Sequence, residues 1–390
     1  MKRYNFDKII DRRGTCAIKY DLLKAIFGKD DLISLWVADM DFSTPDFIIK
    51  ALEKRLNHPI YGYSLAPESY WNSIINWEDR IHGWKFTRNE LTFIPGIVKG
   101  IGMVLQCFTR PGDNVIIQPP VYYPFKNVPL ANGREIIYNP LIYSMGNYEM
   151  DFDQLEACMI NSPKVLILSN PHNPAGRVWS KETLSKLADI CAANNVLVIS
   201  DEIHADMALY DNKHIPFASV SEIAAKICIT FASPSKTFNI AGLVSSFAVV
   251  YNKEIRDIFY KYLDANEFNS PTFISTVATE AAYTCGDLWR RQMLKYVEEN
   301  VDFVSDYIGV NIPRIVVIKP QASFLVWLDC RGLAISDEEL KDLFINKAGL
   351  ALNAGADFGP GGEGFMRMNV GCPRSILAKA LKQLKDALNR

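Results

Sequence analysis

The sequence predicts an α/β fold in which a mainly parallel sheet is sandwiched by helices in a large domain, with a smaller α+β domain beside it. Four short, continuous apolar runs alternate with helical segments, which is typical of parallel strands covered on both faces. These runs cover residues 114–118, 164–169, 195–200 and 227–232. A chain of 390 residues has room for two or three domains. We expect a large domain at 46–285, and a small C-terminal domain at 286–390 completed by an N-terminal arm at 1–45.

The composition is typical of a globular protein with a substantial core. Hydrophobic residues make up 49% of the chain, and its formal net charge is −2. This charge balance does not indicate a nucleic acid or an anionic membrane as a partner. No apolar run follows the charged N-terminus as in a signal peptide, and no stretch is long enough to span a bilayer. Eight scattered cysteines without a Cys-x-x-Cys pair predict a reducing cytoplasm and no metal site.

The first 110 residues predict an irregular arm followed by two helices. Residues 1–45 show no clear periodicity, and the pair Arg12–Arg13 within them predicts solvated side chains. Apolar spacing predicts a helix from Pro45 to about Leu56. An aromatic turn at 61–64 follows, and taken alone it predicts a packed surface turn. The Pro95–Gly96 pair opens a second helix that reaches about Phe108. Free backbone N–H groups at such a helix start bind phosphate well, although most such pairs are only helix starts.

Each of the four predicted strands is followed by residues that could form a site. The carboxyl ends of parallel strands meet at one edge of a sheet, where open α/β folds bind their ligands. In chain order, the candidates after these strands are Tyr122, Asn173, Asp201, His204 and Lys236. A lysine at this edge could form a Schiff base with a carbonyl compound if its surroundings lower its pKa.

Most of these residues have an ordinary alternative role. A solvated loop position is the common one for any single lysine such as Lys236. Tyr122 could pack at the rim of the core, and Asp201 could cap a helix. His172, next to Asn173, is more readily explained as a structural or exposed side chain than as a catalytic one.

The C-terminal part predicts a mixed α+β unit. We expect a long helix from Asp287 to about Ile308, strands at 314–319, 323–329 and 365–370, and helices at 337–347 and 375–388.

A glycine-rich stretch at 353–364 predicts a mobile loop in this part of the chain. After it, Arg367 and Asn369 share one face of a predicted apolar strand, where an arginine needs an anion. That anion would be a substrate carboxylate or, in a structural ion pair, an Asp or Glu.

Several motifs resemble those of the fold-type I pyridoxal-phosphate (PLP) enzymes. The resemblance is strongest to the cystathionine β-lyase and C–S lyase branch of the class I and II aminotransferase family. It rests on Ser235–Asn239 (SKTFN) and Ser200–His204 (SDEIH), with Asp11–Cys16 and Trp36–Phe42 as N-terminal signatures. It covers nearly the whole chain and implies a fold-type I aminotransferase-like fold with PLP as cofactor. It also places the N-terminal arm near the cleft and a dimer contact.

The resemblance implies a role for each candidate around the cofactor ring. Lys236 would hold PLP through a Schiff base and act as the general base, and Asp201 would face the pyridine nitrogen. Asn173 would bond the phenolic oxygen and Tyr122 would stack on the ring. Many aminotransferases of this fold have a tyrosine at the position of His204. The C–S lyase branch has a histidine there, as this chain does.

The resemblance also implies a phosphate site and a substrate clamp. The implied phosphate ligands are Gly96, Ile97, Val98, Ser233, Ser235 and, from a neighbouring subunit, Tyr63. Tyr63 would therefore serve cofactor and substrate in a homodimer with shared active sites. Arg367 would bind the substrate α-carboxylate. Many relatives carry an arginine a few residues after the lysine to pair with the phosphate, and the stretch 241–245 (AGLVS) lacks it.

The implied activity is that of a C–S β-lyase. It would cleave L-cystathionine, and related cysteine S-conjugates, by α,β-elimination to homocysteine, pyruvate and ammonia. One alternative is an aminotransferase that uses the same lysine, and another is a PLP-binding regulatory protein that acts through a partner. His204 and the N-terminal signatures favour the lyase, while the leaving group stays open.

Overall fold

The computed structural model describes residues 2–389. Its strands are β1 (Ile33–Ser34), β2 (Leu91–Ile94), β3 (Asn114–Ile117), β4 (Glu135–Tyr138), β5 (Ile142–Ser144), β6 (Asn147–Glu149), β7 (Val165–Ser169), β8 (Leu197–Asp201), β9 (Cys228–Ala232), β10 (Ser246–Val249), β11 (Val316–Ile318), β12 (Leu325–Asp329), β13 (Leu350–Ala351), β14 (Asn353–Ala354) and β15 (Phe365–Asn369).

The helices follow the same chain order. They are α1 (Ile18–Asp21), α2 (Leu23–Phe27), α3 (Asp46–Leu56), α4 (Glu68–His82), α5 (Ile97–Phe108), α6 (Pro124–Ala131), α7 (Phe152–Cys158), α8 (Lys181–Ala193), α9 (Glu222–Lys226), α10 (Lys253–Ala265), α11 (Phe273–Cys285), α12 (Asp287–Asn311), α13 (Asp337–Asp342) and α14 (Arg374–Leu388). None of the helices in the described range combines the length and apolar character needed to cross a membrane.

A seven-stranded sheet with the order β2-β10-β9-β8-β7-β3-β4 organises the fold. The pairs from β9 to β4 are parallel, and β10 is antiparallel to both of its neighbours. The four predicted apolar runs form β3, β7, β8 and β9, so the predicted mainly parallel sheet is confirmed. β2, β4 and β10 are not among the predicted strands and extend the sheet at its two sides.

The central strands are apolar throughout because both faces of the sheet are covered. Every residue of β7 is buried, and successive residues of β7 belong to two different hydrophobic clusters. Leu166 and Leu168 pack into one cluster, while Val165 and Ile167 pack into the other. Each aliphatic side chain buried in this way contributes roughly 1.5–3 kcal/mol to stability. Both faces of the central strands are therefore buried in hydrophobic clusters.

A four-stranded antiparallel sheet with the order β11-β12-β15-β14 forms in the C-terminal part. The strands β11 and β12 are shorter than the predicted runs, and α12 continues three residues past the predicted end at Ile308. The helix predicted at 337–347 is α13 followed by a π-helical turn, Leu343–Lys347. The predicted domain boundaries, next to residues 45 and 286, stay a prediction.

The N-terminal arm is more ordered than its sequence indicates. It contains α1, α2 and β1, and β1 pairs in parallel with β13. These elements have two to five residues, too few for a periodic pattern. The expectation of a solvated arginine pair is wrong for Arg12, which forms ion pairs with Asp39 at 2.7 Å and Asp41 at 2.8 Å.

The glycine-rich stretch at 353–364, which is predicted as a mobile loop, contains regular structure in its first half. It forms β14 and a 3₁₀ turn, Gly355–Phe358, and the Val121 N–H donates to the Phe358 carbonyl at 2.8 Å. A Cβ atom on Gly355 would lie 2.1 Å from the Gly362 carbonyl oxygen. The glycines here permit close packing of two backbone segments, which composition alone cannot distinguish from mobility.

Candidate active site

A cleft of about 310 Å³ opens at the carboxyl edge of the large sheet. Its wall includes all five predicted strand-end residues, which are Tyr122, Asn173, Asp201, His204 and Lys236. The start of α5 and the turn that carries Lys236 complete it. The parallel topology is the reason for this convergence, because β3, β7, β8 and β9 all end at the same edge.

Lys236 lies in a turn directly after β9, and its side chain is largely enclosed. Its Nζ donates a hydrogen bond to the carbonyl of Ala38 at 2.6 Å. Burial of the ammonium group lowers the pKa of Lys236 to about 8, and the nearby carboxylates of Asp39 and Asp201 limit the shift. A fraction of the amine is therefore neutral near physiological pH, as a nucleophile or a general base requires.

Asp201 is the last residue of β8 and is buried. Burial raises the pKa of its carboxyl group to about 7, although the Ile203 N–H and the charge of Lys236 oppose the shift. The Ile203 N–H donates to Asp201 Oδ1 at 3.0 Å, which closes a local turn. Asp201 does not cap a helix, since the next helical turn begins at Ala205 with His204 at its N-cap. A cation in the cleft would hold this carboxyl group ionised.

His204 and Tyr122 present uncharged side chains to the cleft. Burial lowers the pKa of His204 to about 3, so its imidazole is neutral. Its Nδ1 has no hydrogen-bond partner within residues 2–389. Burial also raises the pKa of Tyr122 to about 12, so its phenol keeps its proton.

Arg367 on β15 is a buried cation whose partners are all neutral. It donates to Asn173 Oδ1 at 3.0 Å, to the Trp36 carbonyl at 2.9 Å and to Asn353 Oδ1 at 2.6 Å. No acid of the described chain forms an ion pair with it, and its Nε has no partner. Burial lowers the pKa of Arg367 to about 10. The structural ion pair that the sequence leaves open is therefore not found, and the guanidinium can accept an external anion.

The segment 36–41 of the N-terminal arm is held between the Lys236 turn and β15. Asn369 Nδ2 donates to the carbonyls of Val37 and Asp39, each at 2.6 Å. On the other side, Asn239 exchanges hydrogen bonds with the backbone of Met40 at 3.1 and 2.9 Å. These contacts hold the Ala38 carbonyl, which receives Lys236, at the cleft, and they hold the nearby Trp36 carbonyl, which receives Arg367. The resemblance places the arm here, but no pattern in the sequence identifies these carbonyls as acceptors.

The start of α5 forms one end of the cleft. Gly96 has a φ of 120°, which only glycine adopts readily, and no side chain caps the helix. The first N–H bonded within the helix is that of Gly100, which donates to the Gly96 carbonyl. The preceding N–H groups of Ile97, Val98 and Lys99 therefore have no acceptor within the helix. All three residues line the cleft.

The two predicted phosphate ligands Ser233 and Ser235 differ in their position relative to this end of the cleft. Ser233 Oγ donates to the Ser245 carbonyl at 3.2 Å and accepts from the Ser235 N–H at 3.1 Å, so it stabilises the turn. Ser235 lines the cleft, whereas Ser233 is not among the lining residues. Ser245 does line it, and its buried hydroxyl has no partner within the described residues. The sequence offers no signal for Ser245 except its position in the stretch that lacks the arginine.

Lys99 is a second residue that sequence reasoning missed. It lies in the first turn of α5, is exposed, and contacts the cleft. A cation beside the free N–H groups of a helix start is unfavourable unless an anion lies between them. This local conflict is the signal that could have identified Lys99 from the sequence.

Tyr63 is outside the cleft of its own chain. Its side chain is fully exposed, within a segment whose other large exposed hydrophobic residues are Ile60, Tyr61 and Leu65. A role for Tyr63 at an active site would therefore require a second copy of the chain, and that role stays a prediction.

The sequence of this chain is similar to those of known proteins over nearly its whole length. The sequence model of the family "aminotransferase class I and II" matches residues 30–384. Cystathionine β-lyase PatB of Bacillus subtilis is 42% identical over 387 residues, which cover 99% of this chain and 100% of that protein.

Two solved structures are similar to the structure of this chain over nearly their whole length. Cystalysin from Treponema denticola, described as containing a pyridoxal 5'-phosphate cofactor, has a TM-score of 0.96 at 34% identity and covers 100% of this chain and 99% of its own. The PLP-bound C–S lyase from Staphylococcus hominis has a TM-score of 0.93 at 35% identity, with the same coverage.

Proposed function

Because this chain belongs to the class I and II aminotransferase family, in the branch of cystathionine β-lyases and C–S lyases, we propose that it is a PLP-dependent β-lyase of L-cystathionine. Related cysteine S-conjugates share the reacting core and would also be substrates. The products of α,β-elimination are homocysteine, pyruvate and ammonia. One observation carries the proposal: a single cleft holds a lysine of lowered pKa, and Asn173 in its wall contacts a buried arginine that has no acid partner.

The residues of the cleft fit the chemical groups of PLP. Lys236 offers an amine to its aldehyde, the buried Asp201 offers a carboxylate to its ring nitrogen, and Tyr122 offers a flat face. The unpartnered hydroxyl of Ser245, next to the free N–H groups of α5, fits a phosphate. When bound, PLP supplies an electron sink for the charge that develops at the substrate Cα.

Lys99 provides the phosphate with the positive charge that the missing arginine supplies in relatives. It is one helical turn or less from every free N–H group of α5 and has no acid partner in the described part of the chain. Ser235 and Ser245, which line the same cleft, add neutral donors. We therefore assign the phosphate end to α5, Lys99 and these two serines, with Ser233 acting on the turn.

Arg367 binds the substrate α-carboxylate in this proposal. A guanidinium can donate two parallel hydrogen bonds to a carboxylate, which fixes orientation as well as position. Asn173 and the Trp36 carbonyl accept hydrogen bonds from the guanidinium and hold it in place. Because both acceptors are neutral, they leave its charge uncompensated. The substrate Cα is thereby held within the same cleft as Lys236.

Lys236 Nζ takes the proton from the substrate Cα. Its lowered pKa of about 8 keeps the neutral amine accessible without making it too weak a base. The Ala38 carbonyl accepts a hydrogen bond from Nζ and limits the directions the amine can point. The thiolate then leaves from Cβ, and hydrolysis of the remaining fragment gives pyruvate and ammonia.

The test is pyruvate release from L-cystathionine by PLP-loaded protein with no oxo-acid acceptor present. Sustained release with stoichiometric thiol supports β-elimination, because transamination stalls without an acceptor. The Lys236→Ala variant should be inactive, and full activity in it would contradict the assignment.

The competing functions give different results in the same assay. If amino acids convert the cofactor to its aminated form and no pyruvate appears, the protein is an aminotransferase. If neither response occurs with any sulfur amino acid, a regulatory protein that acts through a partner becomes the better explanation.

A further inference from the structure

A buried polar cluster lies behind the Lys236 turn, outside the cleft. We call it the Asp206 cluster, and it comprises Asp206, Trp77, His82, Thr237 and Arg290. Trp77 and His82 belong to α4, Arg290 belongs to α12, and Asp206 follows β8 by five residues. None of these residues lines the cleft, and none has a role in the proposed chemistry.

The Asp206 carboxylate receives hydrogen bonds from three directions. Oδ1 lies 2.9 Å from Trp77 Nε1, which donates to it, and 3.0 Å from His82 Nε2. Oδ2 accepts from the Thr237 hydroxyl at 3.1 Å. Arg290 Nε donates to the backbone carbonyl of Asp206 at 2.7 Å. Both carboxylate oxygens and the backbone of Asp206 are thus fixed by α4, α12 and the Lys236 turn.

The Asp206 side chain is ionised although it is buried. Burial opposes its ionisation, but the hydrogen bonds from His82 and Trp77 and the charge of Arg290 hold the pKa of Asp206 below its ordinary value. A buried charge is costly even when it is well hydrogen-bonded, and apolar residues of similar volume commonly give equal or greater stability. Stability alone is therefore a weak explanation for a carboxylate at this place.

Thr237 connects the Asp206 cluster to the Lys236 turn. It is the residue after Lys236 and is fully buried. Adjacent side chains in the turn diverge, so that Lys236 lines the cleft while Thr237 bonds Asp206 on the far side. Asp206 also lies on the same short segment as Asp201 and His204. One carboxylate thus ties together the two strand-end segments that carry the amine and the acid of the cleft.

We propose that Asp206 is a positioning residue that fixes the direction of Lys236 through the Thr237 hydroxyl. This inference rests on the proposed function of Lys236. Reacting groups in active sites must be held within about 0.5 Å of their productive position, and supporting hydrogen bonds provide that precision. Without the bond from Thr237, the turn keeps its apolar packing through the buried Phe238, but the lysine gains freedom of direction.

The test compares Thr237→Val with Thr237→Ser. Valine keeps the shape of the buried side chain and replaces the hydroxyl with a methyl group, whereas serine keeps the hydroxyl. The matched control is Thr279→Val, since Thr279 is fully buried in α11 and its hydroxyl has no partner within the described residues. Four quantities are measured for each variant: the pKa of the lysine-bound cofactor from the pH titration of its visible absorbance, kcat, KM and Tm.

We expect Thr237→Val to lower kcat by about tenfold to a hundredfold, as small displacements of reacting groups do. KM should change less than about twofold, because substrate binding rests on Arg367. The pKa of the lysine-bound chromophore should shift by roughly half a unit or more. Thr237→Ser should keep kcat and the chromophore pKa close to their wild-type values, and Thr279→Val should match the wild type.

Two results overturn the proposal. One is a Thr237→Val protein with the chromophore pKa and kcat of the wild type. The other is a loss of kcat that follows a loss of Tm while the chromophore pKa stays unchanged, since that is a purely structural effect. If Thr237→Val does not fold, Thr237→Ala is measured in its place against the same criteria.

The proposed function fails separately from this inference. A wild-type protein without a lysine-bound cofactor band refutes the role of Lys236 and, with it, the role of Asp206. A wild-type band together with an unaltered Thr237→Val protein refutes the role of Asp206 alone.

Discussion

Arg367 Nη1 lies 3.0 Å from Asn173 Oδ1, although the two residues are 194 positions apart in the chain. Arg367 belongs to β15 of the small sheet, and Asn173 lies in the loop after β7 of the large sheet. The bond joins the proposed substrate clamp to a residue that the resemblance places against the cofactor. A displacement of β15 would therefore alter the positions of both Arg367 and Asn173.

Arg367→Lys should raise KM for L-cystathionine by about ten- to a hundredfold, because a lysine cannot donate the two parallel hydrogen bonds of a guanidinium. Cofactor binding should be nearly unchanged. Steady-state kinetics and the visible spectrum check both points. Arg331→Lys is the control, since Arg331 is half-exposed and pairs with Asp329. Equal kinetics for the two variants would contradict the clamp.

Lys99→Ala should weaken PLP binding to the apoprotein by about three- to tenfold, which corresponds to roughly 0.7–1.4 kcal/mol. The difference should shrink as salt is added, because Lys99 is exposed and its interaction is screened. Equilibrium titration of the apoprotein measures it. Lys181→Ala is the matched control, because Lys181 is also an exposed lysine in the first turn of a helix, α8. Unchanged affinity in Lys99→Ala would remove Lys99 from the phosphate site.

The lowered pKa of Lys236 has a consequence for the stability of the apoprotein. A lysine whose pKa falls from 10.5 to about 8 on folding favours the unfolded chain while it is protonated in both states. The penalty, roughly 3 kcal/mol at most, is fully present below pH 8 and is relieved as the pH rises toward 10.5. Lys236→Met should therefore be more stable than wild type at pH 7.

The pH dependence separates this effect from simple repacking. Denaturant unfolding of the two apoproteins at several pH values between 7 and 10 should give a difference that shrinks as the pH increases. A difference that is constant with pH would mean that Lys236 titrates normally in the folded chain.

Mixing two inactive variants tests whether Tyr63 serves a second subunit. In a shared active site, Lys236→Ala and Tyr63→Ala subunits form a mixed dimer with one intact site, so refolding them together should restore up to about a quarter of the wild-type activity when pairing is random. Each variant alone should have little or no activity. If Tyr63 acts on the cleft of its own chain, the mixture gains nothing.

Much of the fold and of the cleft could be predicted from sequence because each depends on local patterns. The runs that form β7 and β9 are buried at every position, so they must be apolar throughout. Lys236 comes shortly after β9 and Asp201 ends the neighbouring strand β8, and parallel strands end together. The short strand β1 could not be predicted, since its two residues pair with β13 some 300 positions away.

Ser233 and Ser245 show where prediction of the site ended. Both are small polar residues beside the turn, and the motif favours Ser233. The structure uses the Ser233 hydroxyl within the turn and leaves that of Ser245 without a partner at the cleft. Which hydroxyl faces the ligand depends on how β10 approaches β9, and no local pattern records that approach.

The sequence by itself determined the mainly parallel sheet, the edge at which a site forms and the reactive groups delivered there, because burial and strand direction act within short stretches of chain. Only the tertiary structure decided what those groups contact. The carbonyl that receives Lys236 is 198 positions away, at Ala38, and the buried charge of Arg367 meets amides instead of an acid. Such contacts follow from the packing of distant segments, and that packing is set by the whole core.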